Sequence, residues 1–104
     1  MAQFDVHRNP DAASRRRFPL LLDVQSDLLD TLATRVVVPL AAANDNVLPV
    51  AGLMPVFEVD GRRVVMRTTE IAGVPRKAIG ERVATLADRR HDIVAALDVL
   101  ISGM

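Results

Sequence analysis

Residues 54–69 read MPVFEVDGRRVVMRTT, and this stretch contains the clearest local signal for the fold. Asp60-Gly61 separates two runs that are rich in residues typical of β-strands. A two-residue type I′ turn needs positive φ at both of its positions, and Asp-Gly is one of the preferred pairs there. The stretch therefore predicts a β-hairpin, and with it an antiparallel sheet.

Three further segments are predicted to be strands. Residues 3–7 (QFDVH) alternate polar and apolar side chains, as a strand with one buried face does. Residues 18–24 form an apolar run in which Pro19 indicates a start that is unpaired or at a sheet edge. Residues 35–40 contain three consecutive valines, which favour an extended backbone. Residues 41–53 are expected to be a loop that covers one edge of the sheet.

The sequence pattern changes from a period of two to a period of 3.6 near residue 86, which predicts a helix that runs almost to residue 104. Thr85 and Asp88 resemble a weak capping box at its beginning. One helical face is apolar at the spacing i, i+4, i+7 and i+11, at Ile93, Leu97, Leu100 and Met104. The predicted fold class is therefore mainly β, with a curled or closed antiparallel sheet and one C-terminal helix.

The composition indicates the broad class of the protein. At 104 residues the chain is expected to form a single domain over residues 1–104. Thirteen basic and thirteen acidic residues give a formal net charge of zero, which argues against nucleic acid as a direct ligand. The sequence has no cysteine, no apolar run of the roughly 20 residues that a membrane span needs, and no signal-peptide core. We expect a cytoplasmic protein without a disulfide, metal or cofactor.

Few residues are candidates for catalysis. His7 and His91 lie far apart in the sequence and are predicted to be surface histidines rather than metal ligands or acid-base groups. Asp23, Asp27 and Asp30 bracket a pair of leucines and could form an acid pair. The favoured interpretation is that they are loop carboxylates that cap backbone amides around two exposed leucines. Motifs of metalloproteases, phosphate-binding loops and nucleophile elbows do not occur.

Two features indicate binding rather than catalysis. Arg15, Arg16 and Arg17 form a dense basic run, which is either solvated or receives an acidic partner segment by bidentate pairing. The last turn of the predicted helix continues the apolar stripe through Ile101 to Met104. Large apolar side chains contribute roughly 1.5–3 kcal/mol each only when they are buried, so a dimer partner or a target protein is expected to cover this end.

The chain contains, in this order, QFDV, FPLLLDVQSDLLDT, RVVVPL, VVMRTTEIAGVP and AIGERVATLADRRHDI, followed by an apolar helix with glycine next to last. In order, spacing and residue type, these motifs resemble the CcdB family of plasmid-encoded toxins over nearly the whole chain. The resemblance implies an SH3-like barrel with a C-terminal helix. It also implies a homodimer that traps the A subunit of DNA gyrase in its cleavage complex with DNA. Neutralisation by CcdA, an antitoxin whose disordered C-terminal segment folds along the toxin dimer, is implied as well.

The family's gyrase contacts lie in the last turn of the helix and in the apolar pair that follows VQSD. By position, the resemblance assigns them to Leu28, Leu29, Asp98, Ile101, Ser102, Gly103 and Met104. The family motif has aromatic residues where this chain has Ile101 and Ser102, and Asn where it has Asp98. Tryptophan is a frequent interface hot spot, and serine does not replace its contact area. The target surface therefore differs, or gyrase is bound weakly, or only dimerisation and antitoxin recognition remain.

The partner segment of a CcdA-like antitoxin is expected to be acidic and amphipathic, and the arginine run Arg15, Arg16 and Arg17 is its predicted binding site. A second class of function also stays open, because related SH3-like toxins are endoribonucleases. In that alternative the three arginines and a nearby carboxylate would stabilise a phosphoryl transition state.

Overall fold

The computed structural model describes residues 1–44 and 49–103, and this part of the chain contains seven β-strands and one α-helix. Short 3₁₀ helices occupy several of the connections. The strands and the helix are β1 (Asp5–Arg8), β2 (Leu20–Asp23), β3 (Thr34–Ala42), β4 (Val56–Val59), β5 (Arg62–Met66), β6 (Ala72–Pro75), β7 (Arg82–Thr85) and α1 (Arg90–Ser102).

All strand pairings are antiparallel, in the order β4-β5-β3-β2-β1-β7, with β6 paired to β3 outside this path. The long strand β3 pairs with β2, with β5 near its end and with β6 near its beginning. The sheet curls into a half-barrel, and α1 follows it. The predicted fold class, mainly β with a curled antiparallel sheet and one C-terminal helix, is confirmed.

The predicted hairpin is present. Val59 pairs with Arg62, so only Asp60 and Gly61 form the connection between β4 and β5. Their φ angles are 50° and 76°, which is the left-handed backbone that a type I′ turn requires at both positions. Asp60 tolerates this conformation better than most residues do, and glycine adopts it without steric cost.

The other predicted strands are shorter or longer than the pattern indicated. β1 begins only at Asp5, because Phe4 has a φ of 72° and leaves the extended region. The backbone N–H of Phe4 nevertheless donates to Asp23, and its carbonyl accepts from Leu86, so this residue is held between two elements. β2 begins directly after Pro19. β3 extends to Ala42, into the segment predicted as a loop, and residues 45–48 of that segment lie outside the described residues.

The helix begins later than predicted. Residues 87–89 form a 3₁₀ turn, and α1 starts at Arg90 without a side-chain cap. The predicted capping box was wrong, because the Thr85 hydroxyl accepts a hydrogen bond from the N–H of Ala87 rather than from the helix. No helix in the described part of the chain is long and apolar enough to cross a membrane.

The core lies between the sheet and the helix. Ile93 and Ala96 of α1 are fully buried and pack in one cluster with side chains from the strands. Two arginines at the beginning of the helix cover aromatic rings of this core, with the Arg89 guanidinium 4.8 Å from the centre of the Phe57 ring and that of Arg90 5.4 Å from the centre of the Phe4 ring. These contacts attach α1 to the sheet at its first half.

Candidate functional site

Leucines cluster on the surface in the connection between β2 and β3. The 3₁₀ helix Asp27–Leu29 has no buried residue, and its two leucines are 93% (Leu28) and 49% (Leu29) exposed. Leu32 follows at 47%. We call Leu28, Leu29 and Leu32 the leucine tip. The prediction of two exposed leucines is confirmed, and Leu32 is an additional member that sequence reasoning missed.

The aspartates near the tip are only partly the loop carboxylates that were predicted. Asp23 caps the N–H of Gln25 at 3.0 Å, and Asp27 caps that of Gln3 at 2.8 Å. However, Asp23 lies at the end of β2 and is fully buried with Arg35 of β3. The Arg35 Nε and Nη2 atoms donate to its Oδ2 atom at 2.9 Å and 2.6 Å. A buried charge requires a partner of this kind.

Arg35 connects the buried pair to the surface. Its guanidinium lies 3.3 Å from Asp30 and 4.0 Å from Asp27, both of which are exposed. Asp30 also receives Arg76, from the start of the 3₁₀ helix Arg76–Ala78, at 3.0 Å. Each of the three aspartates therefore has a guanidinium partner, and the geometry supports a structural role for them rather than an acid pair.

The helix end forms the other half of the predicted binding site. Ile101 is 82% exposed, and Asp98, Ser102 and Gly103 are exposed as well. The Ser102 hydroxyl donates to the carbonyl of Asp98 at 2.7 Å, so it is turned back onto the helix. Gly103 has a φ of 75° and closes the helix by donating to Val99. Met104 lies outside the described residues.

The two halves of the site lie on different elements, the 3₁₀ helix Asp27–Leu29 and the end of α1. Gln3 joins the tip region to the first turn of α1, because its N–H donates to Asp27 and its side-chain oxygen accepts from Arg90. Ser102 lies at the opposite end of the same helix, about 18 Å along its axis. Among the residues that the structure describes, no hydrogen bond or ion pair connects Leu28 or Leu29 with the helix end.

The arginine run is exposed, but the structure divides it. Arg15 lines a shallow groove beside Gly80 and Glu81. Arg16 and Arg17 line another groove of about 250 Å³, together with Arg67 and apolar residues of β3 and β5. Arg17 stacks on the ring of Phe18 at 4.7 Å and lies 3.7 Å from Glu70, which also pairs with Arg67.

The histidine prediction was half wrong. His91 is exposed on α1, but His7 is buried in β1, with its Nδ1 atom 3.1 Å from the carbonyl oxygen of Gly80. The segment around Gly80 approaches β1 closely, since a Cβ atom at this glycine would lie 2.6 Å from the carbonyl oxygen of Arg8. His7 thus belongs to the contact between β1 and the segment around Gly80. The alternating pattern of residues 3–7 does not show that this contact would bury the histidine.

The model of the family described as CcdB protein matches residues 3–103 of the 104-residue chain. Members of this family are toxins of toxin–antitoxin systems and act by binding rather than by catalysis. The match includes both the leucine tip and the described helix end. Because it extends over almost the full length, the chain belongs to the CcdB family.

Proposed function

We propose that this protein is the cytoplasmic toxin of a type II toxin–antitoxin module and poisons DNA gyrase by binding its A subunit. The observation that carries the proposal is the exposure of large apolar side chains at two of the positions carried over from the family, Leu28 and Ile101. Large apolar side chains that are left in water contribute nothing to folding, whereas their burial against a partner is favourable. In this proposal the leucine tip and the helix end both contact gyrase.

A homodimer is part of the proposal. Each protomer has one tip and one helix end, and a two-fold symmetric pair presents each of them twice, so a symmetric target is contacted by two copies of the same site. In this arrangement Ile101 and Leu28 contact the same target from different elements of the fold. Contact from several small apolar anchors would replace part of the aromatic area that the family motif has at Ile101 and Ser102.

Gyrase binding is tested with the full chain and a purified fragment of the gyrase A subunit, by calorimetry. We expect the Leu28→Ala and Ile101→Ala variants each to bind about tenfold more weakly, because each loses the burial of an apolar side chain. Val50→Ala is the matched control, since Val50 is also an exposed aliphatic residue but is not at a position carried over from the family. If the unmodified protein does not bind at high micromolar concentration, the gyrase proposal is wrong.

A second candidate function is a dimer that binds antitoxin without poisoning gyrase, and Ser102 favours it. This side chain is short and its hydroxyl is engaged by the Asp98 carbonyl, so it offers a partner little contact area. Calorimetry with the gyrase A fragment separates the two functions, because the second candidate predicts no gyrase binding. It also predicts tight antitoxin binding and harmless overexpression, whereas the first candidate predicts growth arrest on overexpression.

For the antitoxin we propose an acidic segment that binds at the arginine run. Exposure of Arg15, Arg16 and Arg17, and the apolar floor of the groove beside the latter two, support an acidic and amphipathic partner. The Arg15→Glu/Arg16→Glu double variant should bind the antitoxin at least about tenfold more weakly at low salt, because attraction becomes repulsion. Arg62→Glu/Arg63→Glu makes the same charge change on exposed residues of the hairpin and should have little effect. Unchanged affinity of the first variant in low-salt calorimetry contradicts the assignment.

A further inference from the structure

The leucine tip lacks the usual support of an exposed apolar segment. The 3₁₀ helix Asp27–Leu29, which contains two of its three leucines, has no buried residue, and the chain between Asp30 and Ala33 belongs to no strand. None of the three leucines belongs to a core cluster, so hydrogen bonds and ion pairs supply much of what holds this segment in place. Besides the hydrogen bonds that the N–H groups of Leu29 and Leu32 donate within the turn, several bonds come from side chains that lie outside the tip.

Arg76, which is 46 positions from Asp30 in the sequence, donates most of the hydrogen bonds that come from outside the tip. Its Nε atom donates to the carbonyl oxygen of Leu32 at 2.9 Å, and its Nη2 atom donates to both the carbonyl and the carboxylate of Asp30. Its backbone N–H donates to the carbonyl of Ala33 at 3.1 Å. One residue thus binds three positions between Asp30 and Ala33, and three of its four hydrogen bonds come from the planar, forked guanidinium group.

A second set of contacts, from residues other than Arg76, also holds the tip. The buried Arg35 reaches the Asp30 carboxylate at 3.3 Å, so this carboxylate lies between two guanidinium groups. The side chain of Gln25 donates to the carbonyl of Leu29 at 3.0 Å, and the Ser26 hydroxyl accepts from the N–H of Leu28 at 3.2 Å. The backbone of each leucine of the tip is therefore engaged by a side chain from outside it.

We propose that Arg76 is a positioning residue, which holds the leucine tip in its binding-competent conformation before a partner arrives. The inference that the tip needs this conformation for gyrase rests on the proposed function. A binding segment that is already ordered loses less conformational entropy on association, so its affinity is higher for the same contacts. Arg76 itself does not have to touch the partner.

Arg76→Gln tests this proposal without creating a buried unpaired charge. The Arg76 side chain is partly exposed, and Asp30 keeps its contact with Arg35. Lys77→Gln is the matched control, because it removes one positive charge at the next residue, which is exposed. Two readouts are used in the full chain: amide hydrogen exchange by NMR, and affinity for the gyrase A fragment.

We expect amide exchange in the Arg76→Gln variant to be roughly three- to tenfold faster at Leu29, Asp30 and Leu32, whose N–H groups donate within the tip turn, and unchanged in the sheet. Gyrase affinity should fall by a similar factor, roughly three- to tenfold, while Lys77→Gln behaves as the unmodified protein. Arg76→Lys keeps the charge but not the fork, so it should resemble Arg76→Gln.

Two results of the exchange measurement overturn the proposal. One is unchanged exchange at the tip, and the other is faster exchange throughout the sheet, which would indicate a general stabilising role. The exchange measurement does not depend on gyrase. If the unmodified protein fails to bind gyrase while tip exchange still rises in Arg76→Gln, the proposed function is wrong and the positioning role stands. If gyrase binds the unmodified protein and Arg76→Gln equally well, the link between positioning and affinity is refuted.

Discussion

Replacing Arg35 with alanine is expected to lower the free energy of unfolding by about 3–5 kcal/mol. Arg35 and Asp23 are both fully buried and are joined by two short hydrogen bonds, at 2.9 Å and 2.6 Å. Without the guanidinium, the Asp23 carboxylate keeps only the N–H of Gln25 as a described partner and remains in a low-dielectric environment. Urea denaturation at one fixed protein concentration measures the effect, because dimerisation would make stability depend on concentration.

An exposed ion pair provides the control for Arg35. Arg8 and Glu81 lie 2.7 Å apart, closely comparable to the buried pair, but both side chains are mostly exposed. Arg8→Ala should therefore cost no more than about 1 kcal/mol. Equal losses for the two variants would show that burial does not determine how much the pair of Arg35 and Asp23 contributes to stability.

The Ile93→Ala variant is expected to lose about 2–5 kcal/mol of stability, because it leaves a cavity between α1 and the sheet. Ile93 is fully buried in the core cluster, next to Ala96 on the same helix face. Ala96 and the contacts of Arg89 and Arg90 with aromatic rings still attach the helix, but they do not fill the cavity. Thermal and urea unfolding followed by circular dichroism measure this loss.

Ile101→Ala is the matched substitution on the same helix. Since Ile101 is 82% exposed, its removal should change the stability of the protomer by no more than about 0.5 kcal/mol. Its effect is expected in partner binding instead. A large loss of stability in Ile101→Ala, with no change in binding, would mean that this side chain is covered by a second copy of the chain rather than by the target.

Much of the fold was predictable from local patterns. Asp60-Gly61 between two β-rich runs specifies a hairpin because both positions need positive φ, and the structure has them at 50° and 76°. The period of 3.6 after residue 86 predicts α1, with an error of a few residues at its beginning, where a 3₁₀ turn intervenes. Both signals depend on residues close together in the chain, which is why they can be read from it.

Part of the candidate site was predictable as well. A leucine pair set among aspartates predicts the exposure of Leu28 and Leu29, and the resemblance to the CcdB family assigns both residues to the predicted binding surface. Leu32 was missed because a single leucine before a predicted strand carries no periodic signal.

The sequence by itself determined the hairpin, the helix, the family and the presence of an apolar segment among acidic residues. Only the tertiary structure decided what those residues do. Asp23 finds Arg35 twelve positions away, and Arg76 reaches Asp30 from 46 positions away. His7 is enclosed by the Gly80 segment, and the arginine run is divided between two grooves. Strand pairing brings such distant residues together, and the strength of a charge pair depends on its distance from solvent, which local sequence does not encode.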